Sequence, residues 1–226
     1  MNKLLPNKKR AENAILLIWI VLAIEIISFT SSCLQYILLL AVENGAHVSE
    51  ETATANDMRK QIVGILYFIA FSISGITFIM WFRRAYYNLH QRLNVLSHSE
   101  GWAAGSWFVP FINLYRPYQI MKELYGFTKA YFRKKGVFEK IHYTTDYLGW
   151  WWALWLITCF VASFVFRISR HADTIDDYMV LTIAQIIWSV LEIPLAFITI
   201  KVIKDYAKAE QLLSEITEEM EEATSN

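Results

Sequence analysis

Four long apolar runs, and the side on which cations fall between them, constrain this chain more than any other feature. The runs cover residues 14–42, 62–82, 148–166 and 178–200. Each approaches or exceeds the roughly 20 residues with which an α-helix crosses a hydrocarbon core about 30 Å thick. Lys3, Lys8, Lys9 and Arg10 precede the first run, ten Lys and Arg from Arg83 to Lys140 separate the second and third, and Lys201, Lys204 and Lys208 follow the fourth. The other two connections hold only Arg59, Lys60, Arg167 and Arg170, among acids such as Glu50, Glu51, Asp173 and Asp177. Cytoplasmic loops carry the excess of Lys and Arg in membrane proteins. The pattern predicts four transmembrane helices, with both termini and loop 83–147 in the cytoplasm.

The formal net charge of +0 averages over a basic central loop and an acidic C-terminal stretch, Glu210–Glu222. That segregation does not resemble a nucleic-acid surface. Basic residues beside spans instead read as topology signals and contacts to anionic lipid head groups. The first run is about twice as long as the apolar region of a cleavable signal and no small-x-small site follows it, so it reads as a retained signal-anchor. Cys33 and Cys159 fall inside spans without CxxC spacing, and read as small apolar residues.

The chain is expected to form one all-α membrane domain over residues 1–226, a four-helix bundle with helical extensions. The polar stretch Glu43–Gln61 reads as an outside loop, with Asn56 or Asp57 capping the second span. That helix continues past Phe82, because Arg83–Leu96 contains neither Pro nor Gly. Residues 101–114 are apolar but too short to cross, and Pro110 interrupts them, which suits an interfacial or re-entrant segment. Pro117 fits the first turn of a following helix. Its stripe of Ile120, Met121, Leu124, Tyr125, Thr128, Tyr131 and Phe132, beside Arg133, Lys134 and Lys135, predicts an amphipathic helix in the cytoplasmic interface. Thr144, Thr145 and Asp146 are capping candidates for the third span, and Trp150, Trp151, Trp152 and Trp155 belong to a head-group belt. The fourth helix should run on through 201–223. Tyr206, Ala209, Leu213, Ile216 and Met220 form a short heptad-like seam there, which calls for a partner helix from this chain or another subunit.

Two carboxyls stand inside the spans. Glu25 lies roughly 15 Å beyond Ile15 and Glu192 roughly 12 Å before Ile200, so helices one and four carry them at similar depth. A charge there costs at least about 2.5–3.5 kcal/mol, so both should face the bundle interior. Glu25, Ser28, Ser32 and Gln35 share one helical face, as do Thr182, Gln185, Ser189, Glu192 and Thr199. The simpler reading is interhelical glue, with hydroxyls and amides bonding across the bundle and the carboxyls protonated, since no Lys, Arg or His lies within the spans. The second is a polar track that binds a proton or cation. Pro194 adds to it by freeing a backbone carbonyl near Glu192.

A second constellation sits at the end of the second span. Trp81, Arg84 and Asn88 fall at i, i+3 and i+7, where an Arg fork and an Asn amide could clamp the carbonyls freed in the broken segment; the alternative is an Arg that snorkels to head groups. Trp81, Arg84, Ala85 and Asn88, followed by Gly101, Trp102, Ala103, Gly105, Trp107, Phe108, Pro110, Asn113, Leu114 and Pro117, resemble the core pattern of a bacterial membrane family known as domain of unknown function 4328. The resemblance covers roughly the second span to the interfacial helix and leaves out the acidic C-terminal extension. It implies a multi-pass protein of the bacterial cytoplasmic (inner) membrane, and brings no activity, cofactor or catalytic residue.

His171, Asp173, Asp176 and Asp177 read as a loop capping the fourth span rather than a cation site. No P-loop, GxGxxG, GxSxG or HExxH element is present. The leading expectation is a non-enzymatic scaffold or accessory subunit without cofactor or metal. Its tail would meet Arg133–Lys135 through Glu218–Glu222, or engage a partner or a second copy. The alternative is a small proton or cation transporter or channel subunit that uses Glu25 and Glu192.

Overall fold

The computed structural model of the chain describes residues 4–137 and 144–225, the side chains of 217–225 excepted. Its elements are α1 (Lys8–Glu43), α2 (Glu50–His90), α3 (Trp102–Gly105), a 3-10 turn (Ile112–Leu114), α4 (Arg116–Lys134), α5 (Asp146–Ser169) and α6 (Ile175–Ser225). No strand occurs among the described residues. α1, α2, α5 and α6 contain 36, 41, 24 and 51 residues, each long and apolar enough to cross a membrane. The protein is an all-α membrane protein with four such helices.

Two boundaries differ from the sequence expectation. Only residues 44–49 of the expected outside loop are non-helical, because Ser49 rather than Asn56 or Asp57 starts α2: its Oγ accepts the Thr52 N–H at 3.2 Å. Glu50 and Glu51 then occupy the first turn, where acids favour the helix dipole. α2 also ends at His90, short of Leu96. α6 opens with a reciprocal cap in which Thr174 Oγ1 accepts the Asp177 N–H and Asp177 Oδ2 accepts the Thr174 N–H, at 3.2 and 3.1 Å. Those bonds hold the Asp177 carboxyl below its ordinary range. α6 then runs unbroken through Pro194.

The chain divides into two compact units. The apolar unit comprises residues 17–74 and 153–197. Its outer surface is aliphatic and aromatic: Ile27, Ile37, Ile65, Phe68, Phe160, Phe166 and Val190 are all exposed. Water would not tolerate so much contiguous apolar surface, and lipid requires it. Val165, Leu181 and Ala184 form a small core in which Val161 and Ile168 also pack. Such van der Waals packing is how helices associate when lipid removes the hydrophobic drive.

The aromatic unit comprises residues up to 16, then 75–152 and 198 onward. Here apolar groups turn inward, with Trp81, Phe82, Tyr86, Tyr125, Phe132, Trp151 and Tyr206 almost fully buried. The predicted α4 stripe is all buried, but it faces α6 rather than lipid. Tyr125 Oη donates to Val202 O at 2.6 Å, and the Tyr125 and Tyr206 rings lie 5.5 Å apart. Of the α6 seam, Tyr206 meets this face of α4, and Ala209, Leu213 and Ile216 are also buried within this unit. Met220 and the expected Glu218–Glu222 contact with Arg133–Lys135 lie outside the described side chains.

A polar clasp ties the N-terminal segment to this unit. Asn88 pairs with both backbone groups of Leu5, its Oδ1 accepting the N–H and its Nδ2 donating to the C=O, each at 2.9 Å. The Glu210 carboxyl, only 8% exposed, accepts from Asn88 Nδ2 at 2.6 Å and from Asn7 Nδ2 at 2.8 Å. Glu210 lies ten residues past the apolar run that ends at Ile200. Burial pushes its carboxyl from 4.5 up to about 7, against the opposing pull of the two amides and Arg84. Between those values the folded chain holds a proton that the unfolded chain has released. Stability therefore falls as pH rises through this window, by roughly 3 kcal/mol in full. The melting temperature of the parent in detergent should drop between about pH 5 and about pH 8. That of Glu210→Gln should drop less, and an identical slope in both would contradict the assignment.

Candidate functional site

Four helical stretches of the apolar unit line a half-open cavity of about 650 Å³. α1 contributes Glu25, Ser28 and Ser31; α6 contributes Gln185, Trp188, Ser189 and Glu192. These are the two polar faces that helical periodicity singles out, and both meet in one space. Glu25 is 3% exposed, with the Ser189 hydroxyl as a hydrogen-bond partner of its carboxyl. Glu192 Oε1 accepts from Trp188 Nε1 at 3.1 Å, and the Trp188 ring stands edge-on to Tyr67 at 5.6 Å.

The expectation that no cation can reach the carboxyls is overturned by Lys60. Its Nζ donates to Ser32 Oγ at 2.9 Å and to Gln185 Oε1 at 2.8 Å, and its side chain lines the same cavity. Lys60 sits just outside the second apolar run, yet α2 is already helical there. Lys60, Gly64, Tyr67 and Phe71 follow one another at spacings of four, three and four, so they form one face. A long aliphatic stem lets the amine reach polar partners along the bundle. Arg59, one position earlier, turns to α1 and donates to Ser31 Oγ and Ser31 O, each at 3.1 Å.

The remaining predicted track residues separate. Ser32 is spent on Lys60, while the buried Gln35 Oε1 has no partner among the described residues. Thr182 Oγ1 donates back to Tyr178 O at 2.7 Å within its own helix. Thr199 belongs to the aromatic unit, where it accepts from Trp151 Nε1 at 3.0 Å. Sequence reasoning missed Lys60, Tyr67, Trp155, Thr158 and Cys159 as cavity residues. Carrying the helical-face test back to residue 60 on α2 would have found the first two.

The clamp expected from Trp81, Arg84 and Asn88 is built differently. Asn88 holds Leu5 and Glu210 instead of segment 101–114. Trp81 is buried beside Phe78 and Tyr206. Arg84 lines a cleft with Arg10 and Arg83. The segment is held by another group: Trp152 Nε1 donates to Leu114 O at 3.0 Å. Trp107 meets Phe78, Phe82 and Trp152 edge-on at 5.5–6.4 Å. Trp151 and Trp152 are thus core residues of the aromatic unit, and only Trp150 of that cluster is largely exposed, at 75%. Trp102 stacks under the Arg116 guanidinium at 5.6 Å, and Pro117 is buried in the first turn of α4. Pro110 and Asn113 lie around a tip where Phe108 and Phe111 are 74% and 81% exposed. Phe111 adopts φ 63° and ψ −40°, and the Ile112 N–H donates to Pro110 O at 2.8 Å, a γ-turn that reverses the chain sharply without glycine.

A family model described as "Domain of unknown function (DUF4328)" matches residues 44–208. The chain belongs to this family. The match extends past α4 through the third and fourth apolar helices, further than the residues that carry the resemblance. It includes Lys60, Gln185, Ser189 and Glu192 and leaves out Glu25, Asn7 and Glu210. Comparison with curated proteins and with solved structures returns no match.

The cavity carries two carboxyls and one ammonium, a formal charge of −1 when all are ionised. No group of three His, Cys, Asp or Glu is placed to hold a metal among the described residues. Net charge inside an apolar unit is costly; counted over the lining side chains alone, neutrality takes one added positive charge, with Arg59 bonded to the lining Ser31 as a further cation. One proton on either carboxyl, or one monovalent cation between them, supplies it.

Proposed function

We propose that this DUF4328 protein is non-enzymatic and binds one proton or one small monovalent cation in the cavity of its apolar unit, as part of a transport or channel pathway. Glu25 and Glu192 are the acceptors, Lys60 sets the charge balance, and Ser189, Gln185 and Ser28 supply polar contacts. The observation that carries this reading is that both carboxyls and Lys60 line one cavity of about 650 Å³. Glue alone would consume its polar groups in direct bonds and leave no space. Four spans are few for a complete pathway, so self-association belongs to the proposal.

The scaffold reading has lost part of its motive. It rested on the seam together with the opposite charges of Arg133–Lys135 and Glu218–Glu222; Tyr206, Ala209, Leu213 and Ile216 are buried within the chain's own aromatic unit, and the tail's acids lie outside the described side chains. The charge segregation supports placing both termini and loop 83–147 in the cytoplasm, with anionic lipid at the inner face of a bacterial cytoplasmic membrane.

Purified protein in liposomes should conduct protons or a monovalent cation, and Glu25→Gln with Glu192→Gln should remove most of that flux. Flux that persists in the double variant, or a parent without flux, contradicts the proposal. For the orientation, a cysteine at Ala130 should resist an impermeant reagent in intact cells; labelling there from outside reverses the topology.

A further inference from the structure

The aromatic unit holds a second feature, independent of the cavity and of its function. Arg10, Arg83 and Arg84 converge on a cleft of about 440 Å³, with Leu5, Met80 and Glu100 also in its wall. We propose that this cleft is a binding site for the phosphate of an anionic phospholipid head group.

Charge balance is the first argument. The cleft sets three guanidiniums against one carboxylate. Glu100 pairs with Arg83 at 3.7 Å, and both side chains are more than a third exposed, so that pair is weak. Arg84 is half-buried and makes no ion pair among the described residues. Arg10 is held in place by donating from Nη1 to Met80 O at 3.1 Å. Burial first, then the fields of Arg84 and Arg83, lowers the proton affinity of Arg10, as expected where three cations crowd around a single carboxylate.

α1 adds to the charge imbalance. Its first turn carries Lys8, Lys9 and Arg10 and no acid, the wrong sign for a helix N-terminus. An anion seated at Arg10 offsets both the crowding and the dipole. Guanidinium forks match paired phosphate oxygens, which suits a phosphate better than a chloride.

Position decides for a lipid. Arg10 lies four residues before the first apolar run, and Arg83 and Arg84 directly follow the second. Cations so close to span ends stand at head-group level. Leu5 and Met80 are 36% and 46% exposed and give the cleft an apolar wall for the glycerol and upper acyl chain.

The test uses the full chain in mild detergent after delipidation, with native mass spectrometry reading bound lipid and a thermal shift reading affinity. Phosphatidylglycerol should bind about tenfold more tightly than phosphatidylcholine. Arg10→Gln with Arg84→Gln should weaken phosphatidylglycerol about tenfold, the equivalent of one charge-assisted hydrogen bond lost. Lys122→Gln with Lys134→Gln, an equal loss of charge elsewhere, should leave the affinity unchanged. Glu100→Gln, which removes the competing carboxylate, should tighten binding several-fold, and it carries the test alone if the arginine variant fails to elute as a single folded species. Equal affinity for the two lipids, unchanged binding in the arginine variant, an equal loss in the lysine variant, or no gain in Glu100→Gln would each overturn the site. Inorganic phosphate stabilising the protein as well as phosphatidylglycerol at equal concentration would replace the lipid by a free phosphate and overturn the lipid assignment.

Discussion

The solvent around each part of the chain decides which way its side chains point. In lipid the backbone must satisfy itself, which leaves helices as the available form for these four stretches, and apolar side chains face outward at no cost. Polar side chains then have only one another. The apolar unit follows that rule: Ile27, Ile65, Phe160 and Val190 face out, while Glu25, Lys60, Gln185 and Ser189 line the interior. In the aromatic unit most of the large aromatic side chains turn inward, Phe108, Phe111 and Trp150 excepted. Trp81, Trp151, Tyr125 and Tyr206 are inside, and their ring edges and hydroxyls find defined partners.

The three buried or half-buried acids show how differently a carboxyl can be employed. Glu210 is clasped by two amides that also grip the N-terminal segment and Trp81 O, so its position is fixed by the fold around it. Glu25 and Glu192 each have a hydrogen-bond partner but open onto space large enough for a small ligand. A carboxyl whose bonds are all spoken for holds structure together. One that keeps room beside it can exchange a proton or ion.

Whatever follows from period and run length was legible in the sequence. The four apolar helices, the α4 stripe, the covered seam of α6 and the two polar faces all repeat every three or four residues, and each is found by counting. Contacts between residues far apart in sequence were not legible. Asn88 meets Leu5 across 83 positions, Asn7 meets Glu210 across 203, and Lys60 meets Gln185 across 125. Lys60 was hidden for a further reason: it lies where hydropathy ends but the helix does not, and its long side chain reaches groups that its Cα position alone would not suggest. The segment 101–114 was recognisable as broken and apolar. Which side chain satisfies its carbonyls depended on α5, where Trp152 offers an indole N–H.

The central claim is that Glu25, Lys60 and Glu192 share a hydrated cavity within a unit whose outside faces lipid, and hydration is what a labelling experiment can decide. Thiol accessibility tests it most directly, because a small water-soluble methanethiosulfonate reacts only where water reaches. With Cys33 and Cys159 replaced by Ala, single cysteines would be placed at Ser28, which lines the cavity, and at Ile27, its exposed neighbour on α1. The account predicts modification at position 28, slowed when both carboxyls are changed to Gln, and none at position 27. Equal reaction at both positions, or protection at 28, would contradict it.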